Sequence, residues 1–207
     1  MATSIRDRIV CPYDSVWNVS TEPRRRLTQD DWTAEALRAL AEGGVSAVAI
    51  EPLAAQLGAT KGSGYWHFAN RAALLAATLE RWERESTERV LEYIAQFPEP
   101  LDRLRALFRT VLSHTGPRNV ELALLASVGD PAVDPVLRRV TSRRLEAVAD
   151  LFRGMGFDRA QAERRAFFAY SAYLGQTQLS RTSPERIPTG ADFDAYLDEI
   201  VAVVIAR

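Results

Sequence analysis

Apolar residues recur every three or four positions through most of the chain, a spacing that places them on one face of an α-helix. In "LTQDDWTAEALRALAEGG", Trp32, Leu37 and Leu40 form such a face. Thr28 is suited to cap the start of the helix, and the negative charge of Asp31 is favourable near the positive end of the helix dipole. Gly43 and Gly44 end the segment. The pattern therefore predicts a first helix from about residue 29 to 43.

Two short helical segments and one long one follow. "AIEPLAAQLG" should begin near Ala49, because Pro52 lacks an N–H group and is tolerated in the first turn, and it should stop at Gly58. "TKGSGYWHF" is the second short segment, and Asn70 is placed to cap a long helix that runs towards Pro98. Two short helices joined by a tight, glycine-containing turn, with a supporting helix before them, are typical of a helix-turn-helix.

The second short segment ends in four consecutive aromatic rings, Tyr65, Trp66, His67 and Phe68. Consecutive helical positions cover a full turn, so these side chains cannot all face one core. We assign Phe68 to the core and expect at least one large aromatic to point outward. On a recognition helix, such side chains could hydrogen-bond DNA or contact thymine methyl groups.

The start of the same segment is small and cationic. Lys61 is the only lysine of the chain, and Gly62 and Ser63 follow it. A recognition helix enters the major groove with its N-terminal residues nearest the bases, so small side chains there would permit close approach. Lys61 would donate to a base or a phosphate.

The rest of the chain also has helical periodicity, which makes the predicted fold all-α with about nine helices. Five segments account for the remaining helices: "PLDRLRALFRTVLSHTG", "NVELALLASVG", "DPVLRRVTSRRLEAVADLFRGMG", "DRAQAERRAFFAYSAYLGQTQLS" and "GADFDAYLDEIVAVVIAR". Each begins or ends at Pro, Gly or a capping side chain.

Composition and charge limit the classes of function. The 207 residues carry a net charge of −1, so DNA binding would have to be local, and Arg24 to Arg26 supply one cationic run before the first helix. The single cysteine forms no internal disulfide, and no run of 18 apolar residues predicts a membrane span. We therefore expect a soluble, cytoplasmic protein that does not enter the membrane.

Enzyme motifs are missing from the sequence. There is no P-loop, no Gly-x-Gly-x-x-Gly, no His-Glu-x-x-His and no Gly-x-Ser-x-Gly, and the two histidines have no metal-ligand spacing. We predict no enzyme activity, no catalytic residue, no cofactor and no metal site.

The stretch "AIEPLAAQLGATKGSGYWHFANRAALL" resembles the DNA-binding domain of the TetR family of bacterial transcriptional regulators. The resemblance implies an all-helical homodimer with an N-terminal helix-turn-helix domain and a C-terminal effector-binding and dimerisation domain. It implies a ligand-responsive regulator, more typically a repressor, that binds a palindromic operator in double-stranded DNA. Carried over by position, the expected DNA contacts are Lys61, Gly62, Ser63, Tyr65, Trp66, His67 and, at the phosphate-contacting start of the next helix, Arg71.

The chain departs from the family pattern at two places. Gly64 stands where the family usually has a bulky apolar residue, and because a helical glycine costs about 1 kcal/mol relative to alanine, the recognition helix is expected to be loose until DNA orders it. Residues 1–26 form a longer arm than in many members, either lacking fixed structure or reaching a neighbouring minor groove. The predicted division is an arm at 1–26, a helix-turn-helix domain at 27–75 and an effector-binding and dimerisation domain at 76–207.

The predicted effector is a small molecule of apolar or aromatic character. Aromatic and polar residues of the middle helices are its candidate contacts, although most helical aromatics belong to ordinary cores. The candidate pocket residues are Phe108, His114, Phe152, Tyr170, Tyr173 and Gln176. Phe167 and Phe168 are expected to contribute to the same aromatic surface.

The last two helices are the candidate dimer interface. Their small and apolar residues would pack in a four-helix bundle formed by two subunits, or only within one chain. The residues in question are Ala162, Ala166, Ala169, Ala172, Tyr173 and Gln176 on the first of these helices, and Phe193, Tyr196, Leu197, Ile200, Val201, Val204 and Ile205 on the second. The alternative function is a dimeric small-molecule-binding or interaction protein that has lost operator recognition.

Overall fold

The structure, a computed structural model, describes residues 26–113 and 119–206, and in these residues it is all-α. Nine helices are present there, in agreement with the predicted fold class. They are α1 (Gln29–Gly43), α2 (Ile50–Gln56), α3 (Lys61–His67), α4 (Arg71–Glu83, continued by Arg84–Glu88 and Arg89–Ile94), α5 (Pro100–Ser113), α6 (Val120–Leu125), α7 (Asp134–Gly154), α8 (Arg159–Thr182) and α9 (Gly190–Ile205). Short 3₁₀ turns occupy Val45–Ala47 and Pro184–Arg186.

Local signals place the ends of the first helices where the sequence predicts them. The Thr28 N–H donates to the Asp31 carboxylate at 2.7 Å, while the Asp31 N–H donates to the Thr28 hydroxyl, which completes a capping box. Gly44 leaves α1 with a φ of 70°, a conformation that favours glycine. Pro52 lies in the first turn of α2, as expected.

Two hydrophobic cores run through the described residues. The first joins α1 to α4 with α6 and the start of α7, and Trp32, Leu53, Leu74 and Leu124 are among its fully buried members. The second joins the end of α4 with α5, α7, α8 and α9. Helix α4 contributes to both cores and therefore connects them through one continuous element. The division at residues 75 and 76 stays a prediction.

The middle of α4 is a π-helical turn over Arg84–Glu88. A π turn accommodates an extra residue within a helix and is frequent at functional sites. Here it lies between the two cores and presents Ser86 and Thr87 to the second one. The turn therefore positions polar side chains where α4 passes from one core to the other.

Candidate DNA-binding surface and effector cavity

Helix α3 is fixed to the first core along one side. Thr60 caps its start by accepting the Ser63 N–H at 3.2 Å. Phe68, at its carboxyl end, is 2% exposed, which confirms its assignment to the core. Gly64 is the buried residue in the middle of the helix.

Gly64 lies where the neighbouring helices leave no room for a side chain. A Cβ added at this residue would lie 2.5 Å from Cγ2 of Ile50 and 2.8 Å from Cη2 of Trp32. Both distances are well below the roughly 3.5 to 4.0 Å of an optimal carbon contact. The missing side chain therefore lets α3 approach α1 and α2 closely, and this packing accounts for a glycine at residue 64. The expected looseness of α3 stays a prediction.

The opposite side of α3 is exposed. Tyr65 is 50% exposed and Trp66 is 68% exposed, so two large aromatics point outward, as the consecutive rings require. The Lys61 side chain is also exposed, and its Nζ lies 3.9 Å from a carboxylate oxygen of Glu51, itself exposed. Such a pair is weak in water and leaves the ammonium accessible to another anion.

The remaining predicted DNA contacts have distinct surroundings. Gly62 and Arg71 are exposed and Ser63 is half-buried. A ring nitrogen of His67, Nε2, lies 3.0 Å from the carbonyl oxygen of Leu27. The Arg71 guanidinium donates to the Val45 carbonyl, which ties the start of α4 to the turn after α1. His67 and Arg71 thus have structural bonds in addition to their predicted roles at DNA.

The second core contains a cavity of about 50 Å³. Three of the candidate pocket residues, Phe108, Tyr170 and Tyr173, line it. Phe152 and Gln176 do not, because Phe152 is fully buried in the core and Gln176 is held by the Leu112 carbonyl and the Tyr196 hydroxyl. His114 lies outside the described residues. Phe167 and Phe168 are exposed and do not line the cavity either.

A buried ion pair beside the cavity was missed from the sequence. Glu121 of α6 is 2% exposed, and both of its oxygens accept from Nη1 of Arg144 at 2.9 and 2.8 Å. The Tyr170 and Tyr173 hydroxyls donate to the same two oxygens at 2.9 and 2.7 Å. A buried carboxylate needs such partners to offset its loss of hydration.

Arg144 extends this network to the π turn of α4. Its Nε–H donates to the Thr87 hydroxyl at 2.9 Å, and Nη2 donates to the Ser86 hydroxyl and carbonyl. Four helices therefore meet in one hydrogen-bonded cluster, which we call the Glu121 network: Ser86, Thr87, Glu121, Arg144, Tyr170 and Tyr173. Burial, and secondly the charge of Glu121, raise the pKa of the Tyr170 hydroxyl, so the proton needed for this bond is held firmly.

The Glu121 network determines the chemistry of the cavity. The polar atoms of its members bond to one another, so the rest of the wall is carbon, from residues such as Val90, Leu107 and Val148. At about 10 to 15 Å³ per water, the space would hold only a few water molecules. A larger ligand must therefore move side chains in order to enter.

The outer faces of α8 and α9 differ from the predicted dimer interface. Most residues assigned to it are buried within the single chain, which is a correction: Ala162, Ala166, Ala169, Gln176, Leu197, Val201 and Val204. Four of the exposed residues of α8, including Ala172 from the predicted interface, are spaced by four, three and four positions: Phe168, Ala172, Gly175 and Leu179. This spacing defines a stripe along the helix, and Val203 of α9 lines the same groove as Phe168.

Comparisons with known proteins support the assignment of the N-terminal helices. The family model described as "Bacterial regulatory proteins, tetR family" matches residues 33–78. The HTH-type transcriptional regulator AcrR from Shigella flexneri is 38% identical over 81 residues, which are 39% of this chain and 38% of the length of that regulator. The family match lies in the helix-turn-helix region, from α1 into α4, and the chain spans less than two fifths of the length of that curated regulator.

Solved structures extend the similarity of fold to most of the chain. A TetR-family transcriptional regulator from Streptomyces coelicolor superposes with a TM-score of 0.67 at 21% identity, covering 84% of this chain and 86% of that one. A transcriptional regulator from Saccharomonospora viridis in complex with choline has a TM-score of 0.69 at 18% identity, covering 86% and 96%. At these identities the likeness is one of fold. No helix in the described part of the chain is long and apolar enough to cross a membrane.

Proposed function

We propose that this chain, whose residues 33–78 match the model of the tetR family of bacterial regulatory proteins, belongs to that family and is a ligand-responsive transcriptional repressor that binds a palindromic operator as a homodimer. One observation carries the proposal. Helix α3 is packed into a rigid core by its buried side, while Lys61, Tyr65 and Trp66 extend from the other side into solvent. Aromatic rings that are half or more exposed gain little from burial, whereas a DNA groove provides contacts for both ring edges and cations.

A second copy of the chain is the proposed occupant of the outer stripe on α8. Phe168 and Leu179 are 54% and 52% exposed, and the small residues Ala172 and Gly175 between them permit close approach of another helix. Val203, 61% exposed, continues the apolar surface onto α9. Two such surfaces related by a two-fold axis would form a four-helix interface, and the same symmetry would match a palindromic operator.

The proposed effector is an uncharged molecule of apolar or aromatic character that binds in the cavity of the second core. The support is the carbon-lined wall, because a charged group would have to break the Glu121 network before it found a partner. The network also links the cavity to the first core. Tyr170 and Tyr173 hold Glu121 on α6, and Leu124 of the same helix is fully buried in the first core near α1.

Entry of an effector would therefore act on the DNA-binding helices. A molecule that displaces Tyr170 or Tyr173 changes the position of α6, and α6 packs on α1. Half-sites of a palindrome lie about 34 to 36 Å apart, so a small change in the separation of two recognition helices weakens simultaneous docking. Effector and operator would oppose each other reciprocally. A repressor of this kind acts on the chromosome in the cytoplasm.

Selection of bound sequences from a random pool of duplex DNA tests the function. With purified protein at near-physiological salt, and again at higher salt, we expect enrichment of one palindrome. The variant Lys61→Ala with Tyr65→Ala should lose this enrichment while keeping its dimeric state. Arg186→Ala, which removes a positive charge from the turn between α8 and α9, is the matched control and should retain it.

Failure to enrich any sequence under any condition would favour the alternative, a dimeric small-molecule-binding or interaction protein without operator recognition. The near-neutral net charge supports that alternative. Gly64 no longer does, since its role in packing α3 explains the departure from the family pattern.

A further inference from the structure

Arg26 is the first described residue, and its guanidinium lies over the exposed ring of Trp66, near the carboxyl end of α3. The Arg26 Cζ is 4.7 Å from the ring centroid, within the roughly 6 Å range of a cation–π contact. The Trp66 ring also meets the His67 ring edge-on, with centroids 4.6 Å apart. His67 in turn holds the carbonyl of Leu27. The segment before α1 is therefore fastened to the recognition helix at two adjacent residues.

The contact leaves the cation of Arg26 able to bind an anion. No carboxylate within the described ranges forms an ion pair with it. An aromatic ring attracts a guanidinium without neutralising its charge, and a guanidinium over a ring face keeps N–H donors at its edges. These donors match the geometry of a phosphate group. Arg26 is exposed, so the edges are accessible.

Two cations of this surface, Lys61 and Arg26, lie at opposite ends of α3. Lys61 is the first residue of the helix, and Trp66, on which Arg26 rests, is the last but one. Seven residues at a rise of 1.5 Å give a helix about 10 Å long. The major groove is about 12 Å wide and has phosphates along both walls. A helix of this length with a cation at each end could contact both walls.

We propose that Arg26 binds a DNA phosphate and that Trp66 acts as a positioning residue that holds Arg26 in place. The inference rests on the proposed DNA binding and assigns to Trp66 a role other than base contact. Arg26 adds a second anchoring cation to the recognition helix. Phosphate contacts fix the register of a protein on the duplex and carry no sequence information.

The test measures affinity against salt concentration for the wild-type chain, Arg26→Ala, Trp66→Ala and the double variant. The duplexes are the recovered operator and an unrelated sequence. One lost phosphate contact should reduce the slope of log K against log salt by about 0.9 per bound protomer. At 0.15 M salt that corresponds to roughly fivefold weaker binding per protomer, equal on both duplexes. The double variant should lose no more than either single variant, because both remove one coupled contact.

Three further variants distinguish the effect of the charge at residue 26 from that of the ring at residue 66 and from a general loss of positive charge. Arg26→Lys should keep the slope, and Trp66→Phe should keep most of it, because charge and ring face are retained. Arg186→Ala, the control for charge, should change neither slope nor affinity. Helical circular dichroism should match the wild type for every variant, since Arg26 and Trp66 are both exposed.

Several outcomes would overturn the inference. If the wild-type chain binds DNA and Arg26→Ala has the same slope, Arg26 touches no phosphate, while the proposed function stands. Additive losses in the double variant, or a changed sequence preference for Trp66→Ala alone, would show that Trp66 contacts bases. A changed A·T preference for Arg26→Ala would place Arg26 in a minor groove. A wild-type chain that binds no duplex overturns both the inference and the proposed function.

Discussion

Replacing Gly64 with alanine sets two opposite effects against each other. Alanine favours a helix over glycine by about 1 kcal/mol, which alone would stabilise α3. The added Cβ, however, would lie 2.5 Å from Ile50 and 2.8 Å from Trp32, and both neighbours are buried. Forcing a methyl group into a packed core costs about 1 to 3 kcal/mol. We therefore expect a net loss of about 1 kcal/mol in the free energy of unfolding.

Gly62 offers a matched control on the same helix. Among the residues that the structure describes, a Cβ there would meet the Thr60 hydroxyl at 3.8 Å, which is an ordinary contact. Gly62→Ala should therefore gain up to about 1 kcal/mol from helix propensity without a packing cost. For a chain of this size, 1 kcal/mol shifts the melting temperature by about 2 to 4 °C. Gly64→Ala should melt below the wild type and Gly62→Ala above it.

Thermal and urea unfolding of the three proteins, followed by circular dichroism, measure these differences. Relief of the Gly64→Ala clash also requires α3 to move outward by about 1 Å, so operator affinity should fall with stability. If Gly64→Ala instead raised the melting temperature as much as Gly62→Ala, the reasoning from packing would be refuted. The low helix propensity of glycine would then be the main effect of Gly64 on α3.

Three further predictions concern the Glu121 network and the outer stripe of α8. Glu121→Gln should lower the free energy of unfolding by about 3 to 5 kcal/mol in urea titrations, because it removes the negative charge from the buried ion pair between Glu121 and Arg144; a loss below 1 kcal/mol would contradict this. The raised pKa of Tyr170 means that the folded chain holds this proton more tightly than the unfolded chain, so stability is full below about pH 10 and falls as pH rises through the folded value. Tyr170→Phe should therefore lose less stability than the wild type between neutral and strongly alkaline pH, and equal losses would refute the link. Ala172→Arg should convert the proposed dimer to a monomer of 23.0 kDa by light scattering, while Ala76→Arg, on the exposed side of α4, should leave the dimer intact.

The sequence by itself determined the helices and most of their ends. Thr28, Asn70 and Asp158 cap the starts of α1, α4 and α8 through bonds to residues three positions away. The exposure of Tyr65 and Trp66 also followed from local geometry, because consecutive helical residues cannot share one face. Such signals act within one or two turns, so a single sequence contains all the information that they require.

Only the tertiary structure decided which residues meet across helices. Arg144 reaches Glu121 over 23 positions and Thr87 over 57, and neither separation leaves a pattern in the sequence. Most of the interface residues predicted on α8 are buried within the chain, while Ala172 is exposed. Small and apolar residues occur on both sides of that helix, and only its neighbours show which side is covered.

At Gly64, local sequence and tertiary packing each explain a different part of the observation. Its identity and its departure from the family pattern were visible in the chain, but its cause depends on the distances to Trp32 and Ile50, which lie on α1 and α2. Helix propensity is a property of one residue, whereas steric fit is a property of the atoms that the fold brings to it. Local sequence therefore determined the helices of this protein, and packing between distant segments decided the shape of the DNA-binding surface and of the cavity.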